Sequence, residues 1–209
     1  MDTEVIVALI GIAPSALATI GIITVAIIFR EPIRTRILPR LAGLKILGVE
    51  ITLLKEDLDA ATSRQLITVS EGDKWNALSR AQHVMPVLNA AKLLWVDDEA
   101  QNNQELIKIL RSLHVNVTLA QDTAEALKLL KRYDYHVVVS DISRSGGSNA
   151  GLEMVKQMWD QKIYRWTIFY VRNLEPGIPD YAFNITNRPD HLLHFIMDVL
   201  ERERWRLES

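Results

Sequence analysis

The chain of 209 residues contains no cysteine, which excludes disulfides and thiolate metal sites and allows a reducing compartment. It also has no excess of either charge. The 24 Lys and Arg against 26 Asp and Glu leave a net charge of -2, so nothing global points to a nucleic-acid partner. There is no internal repeat, no low-complexity tract, no P-loop, no GxGxxG and no nucleophile motif. The length leaves room for one full domain with an appendage, or for two small domains.

The sharpest local absence is of charge. Val5 to Phe29, VIVALIGIAPSALATIGIITVAIIF, is 25 residues without a single ionisable side chain. As a helix rising about 1.5 Å per residue it exceeds the roughly 30 Å hydrocarbon core of a bilayer. A signal peptide would begin with positive residues and have a shorter apolar core, whereas Asp2 and Glu4 precede this run. A core helix would show a polar face, and only Ser15, Thr19 and Thr24 are scattered along it. Pro14 predicts a kink, which membrane helices tolerate. The reading is a transmembrane anchor over residues 1–30. A basic juxtamembrane segment, 31–45, follows.

Arg30, Arg34, Arg36, Arg40 and Lys45 lie after the run and no basic residue lies before it. Positive flanks stay inside, which orients the chain as a single-pass protein of the inner (plasma) membrane, N-terminus outside and residues 30–209 cytoplasmic. The basic stretch suits anionic membrane lipid as a partner. It carries no interleaved aromatics, so it is not read as a nucleic-acid site. Gly11 with Ala16, and Ala18 with Gly21, offer small residues for helix pairing.

Residues 46–91 read as a strand–helix linker. GVEITLL (48–54) alternates as a short half-buried strand, and KEDLDAATSRQL as a short helix. VSEGD is a break, and a second helix is expected from Lys74 to Ala91. There Trp75, Leu78, Met85 and Leu88 recur near heptad spacing, fitting either a dimerising stalk or a face packed on its own domain. The second is favoured, and Pro86 argues against a long coiled coil.

From Lys92 the rhythm becomes strand–helix alternation. The strands are KLLWV, VNVTLA, YHVVVSD, TIFYV and AFNIT, with amphipathic helices between most of them and PDHLLHFIMDVLERE last. This pattern predicts an α/β fold with a doubly wound parallel five-stranded sheet over residues 92–205. Such sheets bind ligands outside the carboxyl ends of their strands. There the first and third strands carry Asp97, Asp98 and Asp141. Three carboxylates in one crevice make an oxygen-rich site suited to Mg²⁺. The competing reading is that one acid caps the following helix and Asp141 is a turn residue.

LLWVDD, VVVSDI with its separation from Asp98, and AGLEMVKQM together resemble the receiver domain of response regulators, the flavodoxin/CheY-like fold. The resemblance covers about Lys92 to Glu203. It implies Asp141 as phosphoacceptor, with Asp97, Asp98, Asp141 and the backbone of Ser143 as Mg²⁺ ligands. It also implies a phosphorelay role fed by a histidine kinase or small phosphodonor, with no enzyme activity beyond self-phosphorylation. Output would pass through a partner or through a homo-oligomer.

Several positions depart from the family. Its proline and glycine after the acceptor fall on Ser145 and Asn149, the glycines being Gly146, Gly147 and Gly151, and the loop SRSGGSNAG looks longer by about two residues. At the end of the fourth strand the family's threonine or serine gives way to Arg172 or Asn173. After the fifth strand Arg188 stands where the family has lysine, with Thr186 and Asn187 as alternative occupants. RNLEPGIPDY leaves the helix between strands four and five short or missing.

Two other function classes fit the same sequence. One is a non-phosphorylated pseudo-receiver acting through its membrane helix. The other is a nucleotide-processing enzyme on the same fold, using Glu99 or Glu175 as an acid. His83, His114 and His136 lie apart, and His191 with His194 share a helix face without a third ligand.

Overall fold

The computed structural model describes residues 38–174 and 179–208, and side chains within 51–174 and 179–204. The hydrophobic run Val5–Phe29 and Glu175 therefore lie outside the described residues. Among the described residues no helix is long and apolar enough to cross a membrane. Residues 51–209 form one compact unit, and of the other, 1–50, only the backbone from Leu38 onward is described.

Five parallel strands stand in the order β2-β1-β3-β4-β5. They are β1 Lys92–Val96, β2 Asn116–Ala120, β3 Val137–Ser140, β4 Trp166–Tyr170 and β5 Asn184–Thr186. This is the doubly wound order whose switch point falls between β1 and β3. The VVVS of β3 is buried at every position, as a central strand covered on both faces must be.

The period-2 geometry of the strands sorts their side chains into two cores. Leu93, Trp95, Val137, Val139, Ile168 and Tyr170 point into one. Leu94, Val96, Val138, Phe169 and Val171 point into the other. The second core is covered by α5 Thr123–Arg132 and α6 Ala150–Asp160. The first is covered by α4 Gln104–Ser112 and α7 Pro189–Glu208, and also by three helices that precede the sheet. These are α1 Leu38–Arg64, α2 Glu71–His83 and α3 Met85–Leu88.

Those helices correct the linker reading. Residues 48–54 are helical, part of α1, and not a strand. Alternation over seven residues is too short to discriminate, and the burial that decides is Leu54, Leu58 and Ala61, one face of a helix. Leu53, inward in the strand reading, is 56% exposed. The expected helix from Lys74 begins earlier, at Glu71, because the Ser70 hydroxyl accepts the Asp73 N–H at 3.1 Å as an N-cap. It breaks at Val84 before the short α3 carrying Pro86.

Leu78 and Leu88 are buried in the sheet's own core while Trp75 faces outward, so the stripe packs on its own domain. Lys74 ties α2 to α1 by bonding Asp59 at 2.5 Å, and Arg80 ties α2 to α7 through Asp198 at 2.6 Å. His194 lies against Arg80 in that second junction, and His191 is half exposed. Between β4 and β5 none of the described residues is helical.

Leu58 is fully buried, so Leu58→Ala should cost about 2–5 kcal/mol. Urea unfolding followed by tryptophan fluorescence, to which the buried Trp95 contributes, measures it. A loss below about 1 kcal/mol would mean that α1 is not part of this core.

Candidate functional site

The register pairs Val96 with Ser140, so the next residues, Asp97 and Asp141, leave adjacent strands at the same level. Each makes one further ladder bond: Asp141 N–H to the Val96 carbonyl at 3.1 Å, and Asp97 N–H to the Ala120 carbonyl at 2.9 Å. Beyond them opens a cavity of about 550 Å³ lined by Asp97, Asp98, Asp141, Ser143, Arg144 and Tyr170. Arg64, Gln65 and Arg172 also border it. Asp97, Asp98, Asp141, Ser143 and Arg172 are thus brought together.

The three acids are compensated very differently. Asp97 is 5% exposed. Its Oδ1 accepts the Glu99 N–H at 2.8 Å, and its Oδ2 accepts Asn103 Nδ2 at 2.8 Å and, weakly, Trp95 Nε1 at 3.4 Å. It therefore holds the backbone at Glu99, just ahead of the 3-10 turn Ala100–Asn103; neither that turn nor the helix after it carries a side-chain cap, so Asp97 is not the helix cap of the competing reading. Asp98 Oδ2 accepts the Ser145 N–H at 2.7 Å and so holds the loop after β3. Asp141 receives a long bond from the Ser143 N–H, 3.4 Å. Burial, then the Asp97 charge, pushes its pKa up to about 6. The backbone N–H groups of Ser143 and Ile142 and the charge of Arg144 pull the other way.

Among the described residues no three Asp, Glu or His side chains lie close enough to enclose a metal ion. Mg²⁺ does not require a closed cage: it keeps several waters and takes one or two carboxylates. Asp98 and Asp141 have oxygens that are lightly used, and Asp97 has already spent its own on donors. The all-oxygen donor set fits such an open site.

The loop after β3 is shaped by two glycines. Arg144 and Gly147 pair through backbone bonds of 3.2 and 2.8 Å across a tight turn, which Gly147 closes at a φ of 139°. Gly151, at the start of α6, sits where a Cβ would meet the Asp141 carbonyl at 2.4 Å and the Ile142 Cα at 2.8 Å. The close-approach glycine is thus residue 151 and not 149, and the loop accommodates the extra residues as a hairpin.

Arg188 corrects the sequence reading, because it does not line this cavity. It forks onto Asp190 at 3.1 and 2.7 Å and bonds Asp73 of α2 at 2.9 Å. Asp190 is 1% exposed, so Arg188 is committed to a buried carboxylate. Its backbone N–H is taken by the hydroxyl of Thr186, 3.0 Å away.

Arg144 was not singled out in the sequence. It is 7% exposed, and its guanidinium donates to Ser140 Oγ at 2.7 Å, Val96 carbonyl at 3.4 Å and Thr123 Oγ1 at 2.9 Å. The only hint was a long cation in a loop otherwise built of small residues. Tyr170 and Gln65 were missed too. The Tyr170 hydroxyl and the Gln65 side-chain oxygen are buried side by side at the cavity wall, and among the described residues neither has a well-formed hydrogen bond. Burial pushes the Tyr170 phenol pKa up.

A second cavity, about 520 Å³, lies at the opposite ends of β3 and β4 against Trp159, Tyr164 and Trp166. It is more apolar and holds none of the three strand-end acids.

No protein-family model matches the chain, and no curated protein does. Among solved structures it is similar to the response regulator protein TrrA from Thermotoga maritima in complex with Mg(2+)-BeF. That likeness has 22% identity and a TM-score of 0.46, covering 52% of this chain and 98% of that one. It is also similar to the receiver domain of the Francisella response regulator 1452 (21%, TM-score 0.48, 54% and 98%). A third is the chemotaxis response regulator CheY4 of Vibrio cholerae (24%, TM-score 0.46, 53% and 99%).

Gly151→Ala drives a Cβ into backbone atoms and should destabilise the protein by about 1–3 kcal/mol, read as a lower melting temperature. An unchanged melt would show that the loop rearranges freely. Asp141 yields a signed pH effect. Its folded pKa of about 6 lies above the ordinary 3.8, so its favourable contribution is complete below the ordinary value and is lost as pH rises through about 6. Discounted for solvent screening, this is on the order of 1 kcal/mol. Without metal, Asp141→Asn should therefore melt about 2–4 °C above the wild type at pH 7.5 and level with it near pH 4. A variant that melts lower at pH 7.5 would refute the electrostatic account.

Proposed function

We propose that the chain is a membrane-anchored, receiver-like signalling protein whose Asp141 accepts a phosphoryl group beside Mg²⁺. The observation that carries this reading is the convergence of Asp97, Asp98 and Asp141 at the switch point of a 2-1-3-4-5 parallel sheet. Asp141 is the least compensated of the three, and so the most available both to a cation and to a phosphorus centre.

In this reading an Asp141 carboxylate oxygen attacks the phosphorus of a phosphohistidine or small phosphodonor, and the donor's bond to phosphorus breaks. Asp98, Asp141 and the Ser143 backbone hold the ion. Asp97 fixes the turn and adds charge behind it. The ion supplies charge neutralisation for the transferred group. Arg172, exposed at the cavity edge, meets the incoming phosphoryl oxygens. The anchor is Val5–Phe29, supported by its 25 uncharged residues, and the basic flank after it argues for a cytoplasmic domain. The donor kinase and an output partner or second copy are then met at the inner membrane surface.

A second reading draws on Arg188. With its guanidinium engaged by Asp190 and Asp73, and with no serine or threonine closing β4, the pocket takes Mg²⁺ without stable phosphorylation. Both readings are tested by incubating the full chain with Mg²⁺ and acetyl phosphate and measuring intact mass. A gain of one phosphoryl group that needs Mg²⁺ and vanishes in Asp141→Asn is the expected result. Quenching by Mg²⁺ or beryllofluoride of Trp95, whose indole N–H reaches Asp97, without a mass change would establish the second reading. A chain that ignores both reagents would end the metal-pocket account.

A further inference from the structure

Arg144 presents a physical problem that its hydrogen bonds do not solve. Its guanidinium is buried, and each oxygen it donates to is neutral: Ser140 Oγ, the Val96 carbonyl and Thr123 Oγ1. Among the described residues it has no carboxylate within ion-pair distance. A buried cation without a counter-charge is costly and is normally paired. The counter-charge here stands one layer away. Val96 and Ser140 are the residues immediately before Asp97 and Asp141, so the guanidinium lies directly beneath the two strand ends that carry the acids. Asp141, Asp98 and Asp97 are the three charges that most favour its ionised form. Its backbone is clamped by the Arg144–Gly147 turn, and the same loop is tied to Asp98 through the Ser145 N–H. The cation is therefore built in.

We infer that Arg144 is the resident counter-charge of the acidic pocket, acting through space from beneath the strand ends and setting how strongly the pocket draws a divalent cation. The inference rests on the Mg²⁺ reading of that pocket. Three carboxylates with one fixed guanidinium leave two negative charges, which matches a divalent ion. Without the guanidinium the excess would be three. Arg188 cannot serve, because withdrawing it would strand the buried Asp190. Arg144 is thus a positioning and specificity residue. Among the described residues its guanidinium is engaged by Ser140, Val96 and Thr123 and makes no ion pair with the acids.

Two measurements on the full chain test this. In the first, Mg²⁺ is titrated against tryptophan fluorescence at pH 7.5. Arg144→Met, which matches the neighbouring Met154 in character, should bind Mg²⁺ about tenfold tighter than wild type, the size expected for one charge acting on a divalent ion across a partly solvated gap. Arg144→Lys, which keeps the charge, should stay within about threefold. Equal affinity in a folded Arg144→Met protein overturns the inference.

The second measurement needs no metal. Urea unfolding in EDTA of wild type, Arg144→Met, Asp141→Asn and the double variant gives their coupling. At least about fivefold in the unfolding constant is expected, and strict additivity overturns the inference, since two charges that do not act on each other contribute independently. If no variant binds Mg²⁺ yet the coupling is present, the metal reading of the pocket falls while Arg144 keeps its role as counter-charge. Should Arg144→Met fail to fold, Arg144→Lys and Asp141→Asn decide through the Mg²⁺ titration. A lysine variant that binds more than tenfold tighter or weaker would then overturn the charge argument.

Discussion

The parallel register of β1 and β3 forces carboxylates together, and the rest of this site follows from managing their repulsion. Once Val96 faces Ser140, Asp97 and Asp141 have no choice of level. The chain resolves the conflict unequally. Asp97 is surrounded by donors and turned to structural use, Asp98 is spent on a loop N–H, and Asp141 is left with a long bond. Residual electrostatic stress is therefore concentrated on one carboxyl, which is the condition under which a carboxylate becomes chemically available.

The positive charges are distributed by the same logic. A buried carboxylate at the first turn of α7, Asp190, demands a bidentate partner, and Arg188 is two residues away. That local demand outcompetes the more distant pocket, because leaving Asp190 unpaired in the core would cost several kcal/mol. Arg144 has no such competitor. Its guanidinium is buried, and the charges that act on it most are those of Asp141, Asp98 and Asp97. Two arginines of equal formal charge thus take opposite roles because of what lies within reach of each.

This explains what was legible in the sequence. The five strands were readable because each is an apolar run between turn signals, and the acids were readable because they end two of those runs. Arg188 was placed by position along the chain, and position does not report that Asp190 would be buried. The strand assigned to 48–54 failed for a related reason: its alternation is real, yet the apolar face that packs, Leu54, Leu58 and Ala61, follows helical spacing and is chosen by the sheet's exposed face. Arg144 carries no periodic signal at all. It becomes visible only when the hairpin folds it back beneath Ser140.

The helices before the sheet change more than the core. Arg64, the last residue of α1, and Gln65 just after it reach the edge of the acidic cavity, where Arg64 pairs with Glu105 of α4 and Gln65 sits beside Tyr170. Tyr170 stands one step beyond the last β3–β4 pair, Ser140 with Phe169, and is therefore level with Asp141. The buried oxygens of Gln65 and Tyr170 thus share a wall with the least compensated carboxyl of the acidic cluster. That wall is built by the end of β4 and by the residue that follows α1. The loops at the strand ends build the acid cluster, but the wall facing it is completed from outside the alternating α/β unit.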